Sequence, residues 1–187
     1  APILVISGSM DSHRTVASIL YFYRDTLARI RRVVPGVRLL IVGKDPPKKI
    51  RRLSHMDINV EVTGFVSDMR PYLEQADVYV CPLITATGIQ DRMLEAMALG
   101  LPIVSTSAAT MRLEVKHERE LLIADQPQYF AGAVLRLLED RPLARSLGMQ
   151  ARQRVGANYS WNMITDQVCS VYEEAKASAN PRRSRME

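Results

Sequence analysis

Apolar residues along this chain fall into two rhythms that take turns. Short unbroken runs sit at Pro2–Ser7, Val37–Val42, Asn59–Val62, Val78–Leu83, Ile103–Ser105 and Glu120–Ala124. Runs of this length, bounded by Gly, Pro or Asp, predict strands buried on both faces of a parallel sheet. Between them apolar residues recur at helical spacing. Val16, Leu20, Tyr23, Leu27, Ile30 and Val34 step by fours and threes and predict a long amphipathic helix over Thr15–Val34. Arg24, Arg29, Arg31 and Arg32 occupy its other face, where solvated surface is the ordinary role for charge. Further helices are expected on a short basic stretch holding Lys48, Lys49, Arg51 and Arg52, and at Met69–Gln75, Gly88–Leu99, Gln128–Glu139 and Leu143–Val155. A last one is expected from Ser160-Trp161 to about Ala177. Strand and helix in alternation predict a doubly wound parallel α/β sheet. No repeat of roughly 20–50 residues interrupts that order.

The stretch Val78–Thr106 concentrates the chemistry. It reads as a strand, a loose turn at Thr85-Ala86-Thr87-Gly88, a helix packed through Met93, Leu94, Met97 and Ala98, and a second strand. Gly100 is placed to end the helix and Pro102 to stop it. A helix start leaves backbone N–H groups unpaired and carries a partial positive charge, so it suits an anion. Gly88 would let a phosphate approach the main chain closely. Glu95 follows two turns into the helix. A carboxylate there accepts two hydroxyls at once, which suits a ribose diol; a solvated or loop-capping carboxylate is the plainer alternative.

Composition narrows the class without choosing a ligand. The 187 residues are 47% hydrophobic and 24% charged, in line with one globular domain. Net charge is +5 and the isoelectric point about 9.4, compatible with anionic ligands, nucleic acid or an acidic membrane. Apolar runs stay short of the ~18–20 residues of a membrane helix. Ala1 leads straight into a strand with no secretory leader, which reads as a piece cut at a domain boundary. The two cysteines, Cys81 and Cys169, have no metal or redox spacing and read as reduced core residues.

The string Thr87-Gly-Ile-Gln-Asp-Arg-Met-Leu-Glu95-Ala-Met-Ala-Leu-Gly-Leu-Pro-Ile-Val104 resembles the nucleotide-sugar motif of retaining GT-B glycosyltransferases of group 1 (GT4-like). That motif has two glutamates eight positions apart, then A-M-A-x-G-x-P-V-V. Glu95 matches the second glutamate; Thr87 replaces the first, so a hydroxyl stands where a carboxylate would meet the transferred sugar. Gly88-Ile89-Gln90-Asp91-Arg92 is similar to the G-I-Q-N-K of a subgroup tied to exopolysaccharide synthesis. The resemblance implies a Rossmann-like sheet of about six strands with helices on both faces, the C-terminal half of a GT-B fold. It implies a donor-binding domain over residues 1–176, with an acceptor domain elsewhere; residues 177–187, with Asn180-Pro181 and Arg182, Arg183 and Arg185, read from their composition as a disordered basic tail.

In this reading Glu95 holds the ribose and the amides of Gly88, Ile89 and Gln90 meet the diphosphate. Arg92, Lys44 and Arg14 are candidate counter-charges, the last beside His13 in the turn after the first strand. Phe65, in a G-x-V loop that meets the base in the family, either stacks on it or packs in the core. The catalytic group is not identified, Thr87 standing at the position in question. The donor is a UDP- or GDP-type sugar and the acceptor a glycan or lipid-linked glycan; no cofactor is expected. The chain has no D-x-D, G-x-G-x-x-G or P-loop signature and no metal-ligand spacing among His13, His55 and His117, so a metal-independent transfer is implied. Nucleic acid is not expected as a partner, for lack of an aromatic-basic strip. A cytoplasmic location, with peripheral docking at an inner membrane, accompanies the resemblance, and the fragment alone is expected to be inactive. A non-catalytic interaction domain on the same fold is the alternative.

Overall fold

The computed structural model describes residues 1–86 and 88–159. Thr87, the helix expected from Ser160-Trp161, Cys169 and the basic tail all lie outside the described residues. Six strands form one sheet, all parallel: β1 (Ile3–Ser7), β2 (Arg38–Val42), β3 (Val60–Val62), β4 (Val78–Cys81), β5 (Ile103–Ser105) and β6 (Leu122–Ile123). Their order is β3-β2-β1-β4-β5-β6. The chain winds outward one way from β1 to β3, then returns to the other side of β1 with β4. In register, Val5 sits opposite both Leu40 and Tyr79, and Tyr79 opposite Ile103.

Side chains alternate across each strand, so one sheet feeds two cores. Leu4, Ile6, Leu39, Ile41, Val78 and Val80 face one layer. It holds α1 (His13–Tyr21), a π-helical stretch (Phe22–Leu27), α2 (Ala28–Val33), α3 (Lys48–Met56) and α7 (Pro127–Glu139). Val5, Leu40, Val42, Tyr79, Cys81 and Ile103 face the other, against α4 (Arg70–Glu74) and α5 (Asp91–Ala98). A short α6 (Ser107–Thr110) follows β5, and α8 (Arg141–Asn158) sends Leu147 into the first core and Ala151 into the second.

The expected strands are all present, all but β5 with shorter ends. β4 stops at Cys81 because Pro82 has no N–H for the ladder. The helix expected over Thr15–Val34 is continuous but not uniform. Its π-helical stretch widens the turn, so Ile19 and Phe22 are buried while Leu20 and Tyr23 are only partly so. Directly after β5, Ser107–Thr110 makes a helical turn whose first amides are capped by Thr106, its Oγ1 accepting from Ala109 N at 3.3 Å.

Candidate functional site

The order of the strands creates the site. β1 and β4 are neighbours whose following helices leave on opposite faces of the sheet, and that switch opens a crevice at their carboxyl ends. A cleft of about 1060 Å³ lies there. It is bounded by the turns after β1, β2 and β3 and by the first two turns of α5. Its floor is main chain in close contact. A Cβ on Gly43 would stand 1.9 Å from the carbonyl oxygen of Gly8, and Gly8 N donates to Val42 O at 3.1 Å. The turns after β1 and β2 can meet only because Gly43 has no side chain.

Of the sequence-predicted site residues, Arg14, Lys44, Phe65, Ile89, Gln90, Arg92 and Glu95 all line this cleft. Gly88 is exposed in the adjoining loop, with φ +81°. His13 begins α1 but is not among the cleft-lining residues. Phe65 is 75% exposed and lines the cleft, so packing in the core is not its role. Lys44 lies close enough to Asp11 to favour its charged form. The Ser9 hydroxyl, donating to Asp11 at 2.6 Å, is the main reason that carboxyl titrates below its ordinary value.

One expectation is corrected. The central helix was expected from Gly88 and begins at Asp91. Gly88 sits in the left-handed region and Gln90, at φ −91° and ψ 89°, is outside the helical region, so residues 88–90 form a loop ahead of the helix. Met93 and Leu94 both donate to Gln90 O, at 2.9 and 3.1 Å. No side chain caps this start; the Gln90 amide turns back and donates to Gly88 O at 3.3 Å. The C-terminal expectation holds. Gly100, at φ +73°, donates to Met97 O and Leu101 N to Ala96 O, the paired bonds of a Schellman stop.

Glu95 is half-buried on α5 and Arg92 reaches it across one turn, Nη1 to Oε1 2.6 Å. Beneath them lies a feature that the sequence reading missed. Tyr79, fully buried in β4, shares a hydrogen bond of 3.0 Å with Ser7 at the end of β1. Burial pushes its phenol far above the ordinary value. Both residues line the cleft, so its floor carries a neutral hydroxyl pair. The signal was present as a polar-capable ring in an apolar run, but only the β1–β4 pairing reveals its partner. Burial likewise pushes the Cys81 thiol up to about 12. Among the described residues no three His, Cys, Asp or Glu side chains gather as a metal site, and no helix is long and apolar enough to cross a membrane.

Fold and cleft together define a doubly wound α/β domain with a ligand crevice at its switch point. The chain belongs to the glycosyl transferases group 1 family, whose profile matches residues 1–140. It is 31% identical over 152 residues to the GDP-mannose-dependent alpha-(1-6)-phosphatidylinositol monomannoside mannosyltransferase of Mycobacterium tuberculosis, covering 74% of this chain and 40% of that protein. The chain thus spans less than half the length of this relative. Among solved structures it is similar to sucrose-phosphate synthase from Thermosynechococcus elongatus, with TM-score 0.77, 26% identity, and 95% of this chain matched to 46% of the other. The fold also matches Anabaena Alr3699/HepE, solved with UDP and glucose, at TM-score 0.76 and 16% identity over 91% of this chain and 48% of that one.

Proposed function

We propose that this chain is the donor-binding half of a hexosyltransferase and that the switch-point cleft takes a nucleotide-diphospho-sugar. The observation that carries the reading is the convergence of Glu95, Lys44, Arg14 and Phe65, from four separate segments, on one cleft. Each supplies what one part of such a donor needs. The exposed Phe65 ring offers a face for the base. The outer oxygen of Glu95, left over by Arg92, accepts ribose hydroxyls. Lys44, Arg14 and the unpaired amides at the start of α5 balance the diphosphate. Charge that develops on the leaving nucleotide is then met by fixed cations and dipoles, without a metal ion.

The acceptor is a glycan or lipid-linked glycan held by a second domain, with retention of anomeric configuration and service in surface-polysaccharide synthesis as the family likeness suggests. The mannosyltransferase relative and the UDP-bound fold neighbour support a sugar-nucleotide donor. Thr87 brings a hydroxyl and no negative charge to the place of the first motif glutamate, so oxocarbenium stabilisation falls to another group. Calorimetric titration with UDP, GDP, ADP and their hexose conjugates tests the reading. Binding of one base, lost in Glu95→Ala, is the expected result. Binding that ignores Glu95→Ala would favour an interaction domain on the same fold.

A further inference from the structure

A second cavity, of about 290 Å³, lies behind the wall of the first. The segment after β4 separates them. Leu83 and Thr85 line the large cleft, while Pro82 and Ile84 line the smaller cavity. The rest of its lining comes from the end of α1, the π-helical stretch, the turn into α6 and the start of α7.

Its chemistry differs from that of the cleft. No lysine or arginine lines it; the one charged lining group is Asp125. Ser107 donates to Asp125 Oδ1 from N at 2.8 Å and from Oγ at 2.9 Å, and Oδ2 lies 2.9 Å from the same hydroxyl. A carboxylate accepts at about four sites, so Oδ2 retains acceptor capacity. Thr26, 3% exposed, lines the cavity. It belongs to the π-helical stretch, a distortion that often marks functional positions. Aromatic surface completes the site: Tyr21, steadied by the Arg24 guanidinium 5.9 Å from its ring centre, and Phe22 set edge-on against Phe130.

We propose that this cavity is a monosaccharide subsite, taking one pyranose ring that is not the sugar of the nucleotide donor. At about 30 Å³ per water it has room for roughly ten waters, enough for a single hexose and too little for a nucleotide. A lone carboxylate repels phosphate, whereas carboxylate and hydroxyl together bind sugar hydroxyls and aromatic surface receives the ring's C–H face. Its place next to the donor cleft, one strand-end away, fits a sugar unit of an acceptor or product glycan. The choice of a sugar rests on the glycosyltransferase reading; the cavity does not.

The test is an NMR titration of the full chain with methyl α-mannopyranoside and methyl α-glucopyranoside, and separately with UDP-glucose and GDP-mannose. At least one glycoside is expected to shift the amides of Thr26, Ile84 and Ser107 while leaving Gly88 and Glu95 unmoved. Asp125→Asn should weaken that binding about fivefold or more, and Ala108→Phe, which fills the cavity and keeps the carboxylate, should abolish it with a dispersed, folded spectrum. Absence of shifts at the cavity with both glycosides overturns the proposal, as does binding that survives Ala108→Phe. If a sugar nucleotide alone moves both sets of amides, the cavity receives the donor's own sugar and the proposal is wrong. If the sugar nucleotides move nothing while a glycoside moves the cavity, the donor-domain reading falls and this one stands.

Discussion

Arg92 holds Glu95 across one turn of α5, Nη1 to Oε1 2.6 Å, with about half of each side chain open to solvent at 51% and 41%. Exposed pairs of this kind add about 1 kcal/mol or less to stability. Substitutions at either position therefore test binding without unfolding the chain. Glu95→Ala is expected to leave the thermal midpoint within a few degrees and to reduce nucleotide affinity about tenfold or more, the worth of one or two hydroxyl contacts to a carboxylate. Loss of the fold in that variant would contradict the exposed geometry.

Arg92→Ala separates two roles for the arginine. A counter-charge to the diphosphate predicts that a nucleoside diphosphate loses affinity while the matching nucleoside does not. A residue that only steadies Glu95 predicts equal, smaller losses for both, of about threefold. Paired calorimetry on the two ligands reads the difference.

Gly43→Ala addresses the cleft floor. The new methyl would lie 1.9 Å from Gly8 O, a main-chain atom with no rotamer to retreat into. Overpacking of this sort costs about 1–3 kcal/mol, and the turns after β1 and β2 must separate. Denaturant unfolding should show the loss of stability, and nucleotide titration a weaker site. An unchanged midpoint would mean that the two turns do not touch in solution.

Asp57 gives a pH signature. Burial opposes its charge, but the Arg31 guanidinium, the Asn59 amide at 3.0 Å and the Tyr23 hydroxyl at 3.1 Å outweigh that and hold its carboxyl below the ordinary value. A lowered folded value means stability that is fully present above the unfolded value near 3.8 and is lost as pH falls through the folded one. Asp57→Asn should cost about 2 kcal/mol at neutral pH. The gap from wild type should close on acidification below about pH 4. Urea melts at pH 7 and pH 3 would show it; a gap that widens in acid would contradict the assignment.

Cys81 lines the cleft, yet its thiol is pushed up to about 12 by burial. The thiolate is the reactive form, so iodoacetamide at pH 8 should leave Cys81 unmodified in the folded chain and label it in urea. Peptide mass mapping distinguishes the two. Rapid labelling of the native protein would show that the end of β4 is open to solvent.

Much of this architecture was legible in local pattern. Apolar runs set the six strands because a strand buried on both faces admits no polar alternation. Gly100 and Pro102 marked the end of α5 because a left-handed stop and a missing N–H act locally. The start of α5 was less legible. Gly88 is compatible with either a helix or a left-handed turn, and only the path of the loop out of β4 decides between them. The π-helical stretch was hidden for a similar reason: periodicity counting assumes a constant turn, and packing against α7 acts across the fold.

The sequence by itself determined the alternation of elements, the family, and the identity of Glu95, Lys44, Arg14 and Phe65 as candidates, since each rests on neighbours in the chain. Tertiary structure decided what meets what. Strand order placed β4 beside β1, which opened the cleft and brought Tyr79 to Ser7, residues 72 positions apart. It also closed Thr26, Asp125 and Ile84 around a second cavity. Those meetings depend on how two cores fill on opposite faces of one sheet, a global packing condition that no local run of residues encodes.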